Sequence, residues 1–321
     1  MLRTDFYTQP RVGEVRAGFG QGLVQAAQAN SQVIALCADL TTSVGMGQFR
    51  DQFPGRFVQV GVAEQNLVTL AAGFAQAGKI PFAASYAAFS PGRNWEQIRT
   101  TICLNNQPVK VIGSHAGLNV GPDGATHQML EDIALMRVLP RMVVLAPGDE
   151  TEAAALTQLM AASNQPSYMR MPRQASRVFM AAETAFAIGK AYVLRSGTDA
   201  SLIGTGTMTA ELLLVAEQLA EQGLSLEVVH VPTIKPLDTA TILGSLRKTG
   251  LAITAEEAQV AGGFGSAISE LTSQHMPMPV LRLGVEDRFG QSGSAQELLQ
   301  AYGLTAQAMA PRIQQFIGAH T

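Results

Sequence analysis

The chain has 321 residues, of which 47% are apolar and 15% charged, which is enough for about two domains with sizeable cores. Lys and Arg number 22 against 25 Asp and Glu, and the net charge of −3 with no basic run excludes the electrostatic footprint of a nucleic-acid-binding protein. Its two cysteines exclude a multi-disulfide framework and a cysteine-rich zinc site. With neither a signal-peptide pattern nor an apolar run of ~20 residues, the sequence predicts a cytoplasmic protein that contacts no membrane.

Helical and strand patterns alternate through the first half of the chain. Apolar residues at helical spacing predict a helix over 12–26, a helix that ends near Gly78, and further helices over 95–104 and 150–162. Short apolar runs predict buried strands at 33–38, 57–60, 81–84, 109–113 and 142–146. This alternation is typical of a parallel sheet flanked by helices.

The pattern weakens in the middle of the chain and then resumes. Residues 173–188 contain no clear period and are interpreted as a linker between domain 1–172 and domain 189–321. In the second domain, strands are predicted at 200–204, 226–231, 251–254 and 280–283, and helices at 211–222 and 265–273. The fold class predicted is therefore α/β, with two domains that each contain a mainly parallel sheet flanked by helices.

Three loops follow predicted strands and contain most of the polar side chains of interest, at 39–43, 61–65 and 114–128. In open α/β sheets, ligands bind beyond the carboxyl ends of the strands, so these loops are expected to converge. The third loop combines three glycines, which allow close backbone approach, with His115 and His127.

Four sequence blocks, in this order, resemble the transketolase family, whose enzymes use thiamine diphosphate. They are Ala38-Asp39-Leu40-Thr41, Gly61-Val62-Ala63-Glu64-Gln65-Asn66, Tyr86-Ala87-Ala88-Phe89 and Gly121-Pro122-Asp123-Gly124-Ala125-Thr126-His127-Gln128. Residues 187–317 are similar to the C-terminal domain of the same family, including Glu256-Glu257, so the resemblance covers essentially the whole chain. It implies that the first domain binds the pyrimidine ring of the cofactor.

The resemblance implies that Glu64 hydrogen-bonds ring N1′ of the cofactor as a neutral carboxylic acid. Burial beside the apolar residues of 60–63 raises the pKa of this carboxyl, whereas the start of a helix lowers it, and we expect burial to prevail. Phe89 and Tyr86 are implied to flank the pyrimidine. Asp39 is implied to lie at the cofactor edge and at a subunit contact.

The resemblance also implies a substrate channel for sugar phosphates. His115 and Asp123 would hydrogen-bond sugar hydroxyls near the bond that is cleaved, and His127 would lie further along the channel, so Glu64, His115 and His127 are the candidate catalytic residues. The residues implied to hold the phosphate tail are Arg11, Ser43 and Arg170. On the sequence alone, a surface salt bridge is an equal alternative for each arginine.

No segment of the chain matches the Gly-Asp-Gly motif through which thiamine enzymes hold the metal and the diphosphate. Residues Gly148-Asp149-Glu150 have the wrong third residue. The chain is therefore predicted to supply no metal ligands, and Mg²⁺ or Ca²⁺ would be held by an N-terminal transketolase subunit. The prediction is the C-terminal subunit of a two-chain transketolase, active only with its partner and assembled as an α2β2 heterotetramer.

Three alternatives stay open. The loop of deoxyxylulose phosphate synthases carries Asp-Arg-Ala-Gly where this chain has Ser114-His115-Ala116-Gly117, and those enzymes are normally one long chain. The β chain of a two-chain 2-oxo acid dehydrogenase is split in the same manner but has different motifs. A non-catalytic regulatory subunit would be expected to lose costly polar groups such as Glu64 and His115 early. The sequence does not identify the ketose donor or the aldose acceptor.

Overall fold

The computed structural model describes residues 1–320, and Thr321, the last residue of the predicted second domain, lies outside the described residues. In chain order, the strands are β1 (Val12–Gly13), β2 (Val33–Cys37), β3 (Phe57–Gln59), β4 (Ile80–Tyr86), β5 (Lys110–Ser114), β6 (Val143–Leu145), β7 (Ser167–Arg170), β8 (Ser176–Arg177), β9 (Tyr192–Arg195), β10 (Ala200–Gly204), β11 (Leu226–His230), β12 (Thr233–Lys235), β13 (Ala252–Gln259) and β14 (Val280–Val285).

The helices, in the same order, are α1 (Val15–Ala29), α2 (Gly47–Gln52), α3 (Glu64–Gln76), α4 (Trp95–Gln97), α5 (Asp132–Arg137), α6 (Glu150–Ala162), α7 (Met208–Ala220), α8 (Thr239–Thr249), α9 (Phe264–His275), α10 (Ala295–Ala301) and α11 (Ala306–Gly318). Helix α4 continues directly into a π-helix, Ile98–Cys103, and a 3₁₀ segment covers Leu118–Asp123. Across the part of the chain described, no helix combines the length and the apolar stretch that crossing a bilayer needs.

The first sheet has seven strands in the order β12-β6-β7-β5-β4-β2-β3. Strands β2 to β7 pair in parallel, and only β12 runs antiparallel to its neighbour. Because parallel strands bring their carboxyl ends to one edge, the segments that follow β2, β3, β4 and β5 emerge side by side. The functional residues discussed below lie on these segments.

The second sheet has five strands in the order β14-β13-β10-β11-β9. Four of them are parallel, and β9 is antiparallel to β11. Both sheets are mainly parallel and flanked by helices, which confirms the predicted fold class.

Strand β12 belongs to the second half of the chain but completes the first sheet. Thr233 pairs with Leu145 and Lys235 with Val144, both on β6. One continuous hydrophobic cluster contains Leu36 of the first sheet and Ile203 of the second. The two sheets therefore share buried surface, and the second half of the chain supplies one strand of the first sheet.

Several elements were not predicted, and β7 and α8 are the most informative of them; the others are β1, β8, β9, β12, α2, α5, α10 and α11. Strand β7 lies in the middle of the first sheet, between β5 and β6, yet its sequence Ser-Tyr-Met-Arg has a polar residue at each end and gives no apolar run. Helix α8 has a good N-cap, since Asp238 accepts a hydrogen bond from the Thr241 N–H, and Gly250 follows its end in a left-handed conformation. Those capping residues were present in the sequence and would have indicated α8.

Candidate active site

The candidate site lies at the carboxyl edge of the first sheet. Glu64 is the first residue of α3, which follows β3, and Tyr86 is the last residue of β4. His115 directly follows β5 and has φ +57, a left-handed conformation that is uncommon for a side chain other than glycine. The topology thus brings together three segments that are about 20 to 30 residues apart along the chain, as expected for a parallel sheet.

Four of the predicted site residues form one aromatic cluster. The Tyr86 and His115 rings stack with their centroids 3.8 Å apart, and Phe89 lies 6.2 Å from Tyr86 in a near-parallel orientation. The His127 ring meets Phe89 edge-on at 5.4 Å. The structure therefore places both loop histidines against the aromatic segment that follows β4, and these ring contacts hold the histidines in place.

Glu64 reaches this cluster through a residue that the sequence analysis did not consider. Its side chain is only 2% exposed, and Oε2 accepts a hydrogen bond from Arg93 Nη1 at 2.7 Å. The same guanidinium lies 5.0 Å from the centroid of the Phe89 ring. Glu64 is buried, as expected, but a cation that was not expected contacts its carboxyl group.

His115 is buried and uncharged at neutral pH. Burial, together with the positive charges of Arg16, Arg173 and His127, lowers the pKa of its imidazole from 6.5 to about 3. Ser114 Oγ lies 2.9 Å from His115 Nδ1. A neutral imidazole whose Nδ1 is hydrogen-bonded to a hydroxyl can form a hydrogen bond with a ligand through Nε2.

The charges that face His115 belong to Arg16 and Arg173. Arg16, on α1, donates from Nη1 to the Ser43 carbonyl at 3.2 Å and, with Ser43, lines a cleft of about 470 Å³. Arg173 lies 3.5 Å from Asp123 and donates to the Val120 carbonyl at 2.7 Å. Ser43 and Asp123 are therefore both beside an arginine that approaches the histidine loop.

Arg11 and Arg170, which were predicted to hold a phosphate, occupy other places. Arg11 is 60% exposed and forms an ion pair with Glu150 at 2.5 Å, which is the surface salt bridge considered as the alternative. Arg170 is buried, with Nε donating to Asp132 Oδ2 at 2.9 Å and Nη2 donating to the Glu257 carbonyl at 3.1 Å. The structure does not bring either arginine into the cluster around His115, because both are engaged elsewhere.

Asp39 lies apart from the aromatic cluster. It follows β2 in a left-handed conformation with φ +58, is exposed, and its N–H donates to Gln59 Oε1 at 2.7 Å. Its predicted role at a cofactor edge or subunit contact stays a prediction.

Three arginines that point to the site were missed from the sequence: Arg16, Arg93 and Arg173. Each lies within a few residues of a position that was singled out, so only the three-dimensional direction of the side chains separates the candidates. Arg173 is three residues beyond Arg170 and outside the strand, where a side chain is free to reach the loop.

The same architecture is found in known proteins. Residues 13–178 match the family profile described as "Transketolase, pyrimidine binding domain", and residues 189–309 match "Transketolase, C-terminal domain". The chain belongs to the transketolase family. The resemblance inferred from the sequence blocks is thereby confirmed.

Two relatives of similar length are named as a section or a subunit of a transketolase. The chain is 41% identical to a "Putative transketolase C-terminal section" of Methanocaldococcus jannaschii, over 93% of this chain and 95% of the relative. It is 40% identical to "6-deoxy-6-sulfo-D-fructose transketolase subunit SqwH" of Clostridium sp. (strain MSTE9), over 88% of each. A 1-deoxy-D-xylulose-5-phosphate synthase of Thermomicrobium roseum is 38% identical over 98% of this chain, which spans only 50% of that enzyme.

Solved structures agree with this family membership. A structure described as "Split gene transketolase, inactive beta4 tetramer" superimposes with a TM-score of 0.89 at 40% identity, covering 95% of this chain and 98% of that one. The transketolase of Campylobacter jejuni superimposes with a TM-score of 0.80 at 21% identity, over 97% of this chain and 48% of that one, which is a likeness of fold.

The surroundings of Glu64 fit the pyrimidine ring of thiamine diphosphate. The flat guanidinium of Arg93 already stands between Phe89 and Glu64, close to the aromatic ring and hydrogen-bonded to the carboxyl group. A flat heterocycle with a ring nitrogen would find the same two partners, one for its face and one for its edge. Within residues 1–320, no cluster of three or more His, Cys, Asp or Glu side chains could hold a metal ion.

Proposed function

We propose that this chain is the C-terminal subunit of a two-chain, thiamine diphosphate-dependent transketolase, which transfers a two-carbon ketol unit from a ketose phosphate to an aldose. The observation that supports the proposal best is that two groups of residues adjoin at one edge of the first sheet. One group is the buried Glu64 with Phe89, and the other is the neutral His115 with two arginines. A pyrimidine site and a polyol site with a cationic end are thus contiguous. Relatives of the same length carry the transketolase name.

On the cofactor side, Glu64 would be protonated and would donate a hydrogen bond from its carboxyl group to ring nitrogen N1′ of the pyrimidine. Thiamine diphosphate, when bound, supplies a nucleophilic carbon that receives the two-carbon unit. Phe89 would cover the ring face and exclude water. Arg93 has to leave the Glu64 carboxyl for this arrangement, because the guanidinium occupies the same oxygen.

On the substrate side, His115 acts as a neutral hydrogen-bonding group. Ser114 engages Nδ1, so Nε2 is the nitrogen left for a sugar hydroxyl. His127 and Asp123 lie on the same loop and line the approach. A neutral imidazole can either donate a hydrogen bond to a hydroxyl oxygen or accept one from a hydroxyl group. This property suits a ketose substrate in which one hydroxyl loses its proton during bond cleavage.

The tail of the sugar would be bound by Arg16 and Arg173, with Ser43 beside Arg16. For this, Arg16 has to exchange its ion pair with Glu14, at 3.0 Å, for the anionic tail. A guanidinium presents a planar fork of donors to a tetrahedral anion, and phosphate and sulfonate share that shape. The name of the relative SqwH specifies a sulfonated sugar. We therefore propose an anionic group at the far end of the ketose, as a phosphate or a sulfonate.

The remaining half of the site would come from an N-terminal transketolase subunit. That subunit would hold the diphosphate through Mg²⁺ or Ca²⁺, and two copies of each chain would form an α2β2 assembly, as the two-fold symmetry of most oligomers favours. Split-gene relatives of matching length support a partner of this kind.

A single donor comparison tests the proposal against its rivals. The chain is mixed with the N-terminal subunit of the same organism, thiamine diphosphate, Mg²⁺ and glyceraldehyde 3-phosphate, and either fructose 6-phosphate or pyruvate is added. A transketolase consumes the ketose and releases no CO₂. Release of CO₂ from pyruvate with condensation onto the aldehyde would instead indicate a deoxyxylulose phosphate synthase. Release of CO₂ in a mixture in which ferricyanide, as the electron acceptor, replaces the aldehyde would indicate a 2-oxo acid dehydrogenase.

Turnover by this chain without a partner would refute the two-chain proposal. Absence of any turnover in the complex, with thiamine diphosphate still bound, would favour a non-catalytic subunit. 6-Deoxy-6-sulfofructose in place of fructose 6-phosphate then distinguishes the two anionic tails.

A further inference from the structure

Two adjacent glutamates on β13, Glu256 and Glu257, are buried and point in opposite directions, as successive residues of a strand do. Glu256 accepts hydrogen bonds from the N–H groups of Phe264 and Gly265, at 2.6 and 2.7 Å, and thereby caps α9 within the second domain. Glu257 instead crosses to the first domain. The two adjacent glutamates therefore serve different elements: Glu256 caps α9, and Glu257 contacts the first domain.

Glu257 lies directly beneath the histidine loop. Its Oε1 accepts a hydrogen bond from the Asn119 N–H at 2.6 Å, and the residue is only 5% exposed. Gly117 has φ +87, and a Cβ atom at this position would lie 2.5 Å from the same oxygen. The carboxylate thus packs against the backbone two to four residues after His115.

The strand that carries Glu257 is itself fixed to the first domain. Arg170 donates to the Glu257 carbonyl at 3.1 Å while its Nε is paired with Asp132. At the other end of the same loop, Gln128 Nε2 donates to the Gln291 carbonyl of the second domain at 3.0 Å. The histidine loop is therefore held by the second domain at both of its ends.

We propose that Glu257 is a positioning residue for ketol transfer, through which the C-terminal domain sets the conformation of the loop that carries His115. The inference rests on the proposed function. The His115 backbone is left-handed and its ring must stack on Tyr86, so the segment 117–119 needs an anchor that withstands this unusual geometry. Glu257 supplies the acceptor at that point, and it touches neither the cofactor side nor Glu64.

The test uses the complex with the N-terminal subunit and three variants. Glu257→Leu keeps the volume and removes the acceptor, and kcat/KM for fructose 6-phosphate is expected to fall about 10- to 100-fold, as misplacement of a substrate-binding group does. Glu257→Gln retains an acceptor oxygen and is expected to restore most of that loss. The dissociation constant for thiamine diphosphate is expected to stay within about 2-fold of the parent value in both, because the pyrimidine contacts are elsewhere.

Glu256→Leu is the matched control. It removes an equally buried carboxylate from the next position of β13, so a loss of kcat/KM as large as that of Glu257→Leu would overturn the proposal. The proposal is also overturned if Glu257→Leu keeps parental kcat/KM, or if Gln restores nothing. Should Glu257→Leu fail to fold, Glu257→Asp replaces it, since this variant keeps the charge but withdraws the acceptor from the Asn119 N–H by one methylene group; parental kcat/KM in that variant overturns the proposal.

A second measurement needs no activity. In the isolated chain, NMR of the histidine rings reports the stacking of His115 on Tyr86 through the shift that an aromatic neighbour causes. Glu257→Leu is expected to move the His115 resonances and to leave those of His275 and His320 unchanged. If the parent complex shows no ketol transfer, the proposed function fails, but unmoved His115 resonances are still required to refute the role of Glu257 in holding the loop.

Discussion

Replacing Arg170 by Met distinguishes a structural arginine from a phosphate-binding one. Asp132 is fully buried, and its Oδ2 accepts from Arg170 Nε at 2.9 Å and from the Tyr168 hydroxyl at 2.8 Å. Its second oxygen, Oδ1, already has no hydrogen-bond partner among the described residues. Without Arg170, the carboxylate keeps a single donor in a site that water does not reach.

Breaking a buried ion pair in this way costs about 3–5 kcal/mol, because the remaining charge is left uncompensated. For a chain of 321 residues, each kcal/mol lowers the melting temperature by roughly 1.5 °C, so a decrease of roughly 4–8 °C is expected for Arg170→Met. The measurement is urea and thermal unfolding of the isolated chain, followed by circular dichroism at fixed protein concentration.

Arg173→Met is the matched comparison, three residues along the same segment. Arg173 and Asp123 are 3.5 Å apart and have side chains 34% and 37% exposed, so the loss of this pair is expected to cost less than about 1 kcal/mol. In the complex, however, this variant should raise KM for the ketose phosphate. Removing both charges of the buried pair, in Arg170→Met with Asp132→Leu, should recover much of the stability lost by Arg170→Met alone.

The opposite pattern would refute this reasoning. If Arg170→Met unfolds within about 1 kcal/mol of the parent while KM for the ketose phosphate rises, then Arg170 binds the phosphate, as the sequence analysis expected.

Four further outcomes are expected. The His115 ring should show no NMR titration between pH 8 and 5, since burial lowers its pKa to about 3, and a titration midpoint near 6.5 would contradict this expectation. Because the folded-state pKa lies below the value of 6.5 in an unfolded chain, the stability contributed by the neutral His115 is present above pH 6.5 and is lost as the pH falls towards 3. Burial lowers the pKa of Lys110 to about 7, so stability should increase as the pH rises from about 7 to 10.5, and Lys110→Met should remove this slope from urea unfolding. Ser294→Ala removes the capping box of α10 and should cost about 1 kcal/mol of unfolding free energy by the same assay. Arg93→Met removes the half-exposed group that the cofactor must displace from the buried Glu64 carboxyl. If that displacement costs about 1 kcal/mol, thiamine diphosphate should bind the complex about 5-fold more tightly by calorimetry, and weaker binding would show that Arg93 assists it.

The sequence was sufficient for the architecture because the buried strands are short apolar runs separated by helical periods. Strand β2 and helix α6 correspond closely to the ranges predicted for them. Strand β7 was missed because its burial depends on Asp132, some 35 residues earlier, which neutralises the terminal Arg170. A charge that is paired across the fold cannot be recognised as buried from its own neighbours.

The location of a candidate residue could be predicted where a motif and the sheet topology coincide, but not where only charge mattered, and the roles of these residues stay predictions. Glu64 and His115 are where a parallel sheet must place them, at the start of a helix and at the end of a strand. Arg11 and Arg16 are equally cationic, but Arg16 lies on α1 and lines the cleft beside Ser43, whereas Arg11 precedes that helix and pairs with Glu150. The contact of Arg93 with Glu64 involves residues 29 apart and carries no local pattern.

The pairing of β12, from the second half of the chain, with β6 of the first half limits where this polypeptide can be divided. A fragment that stops at residue 188 would leave the outer hydrogen-bonding groups of β6 without their antiparallel neighbour, and an unpaired border of that kind invites association with other chains. It would also uncover Val144 and Ala146, which share a cluster with Ile234. Separate expression of the two family domains should therefore yield aggregating halves.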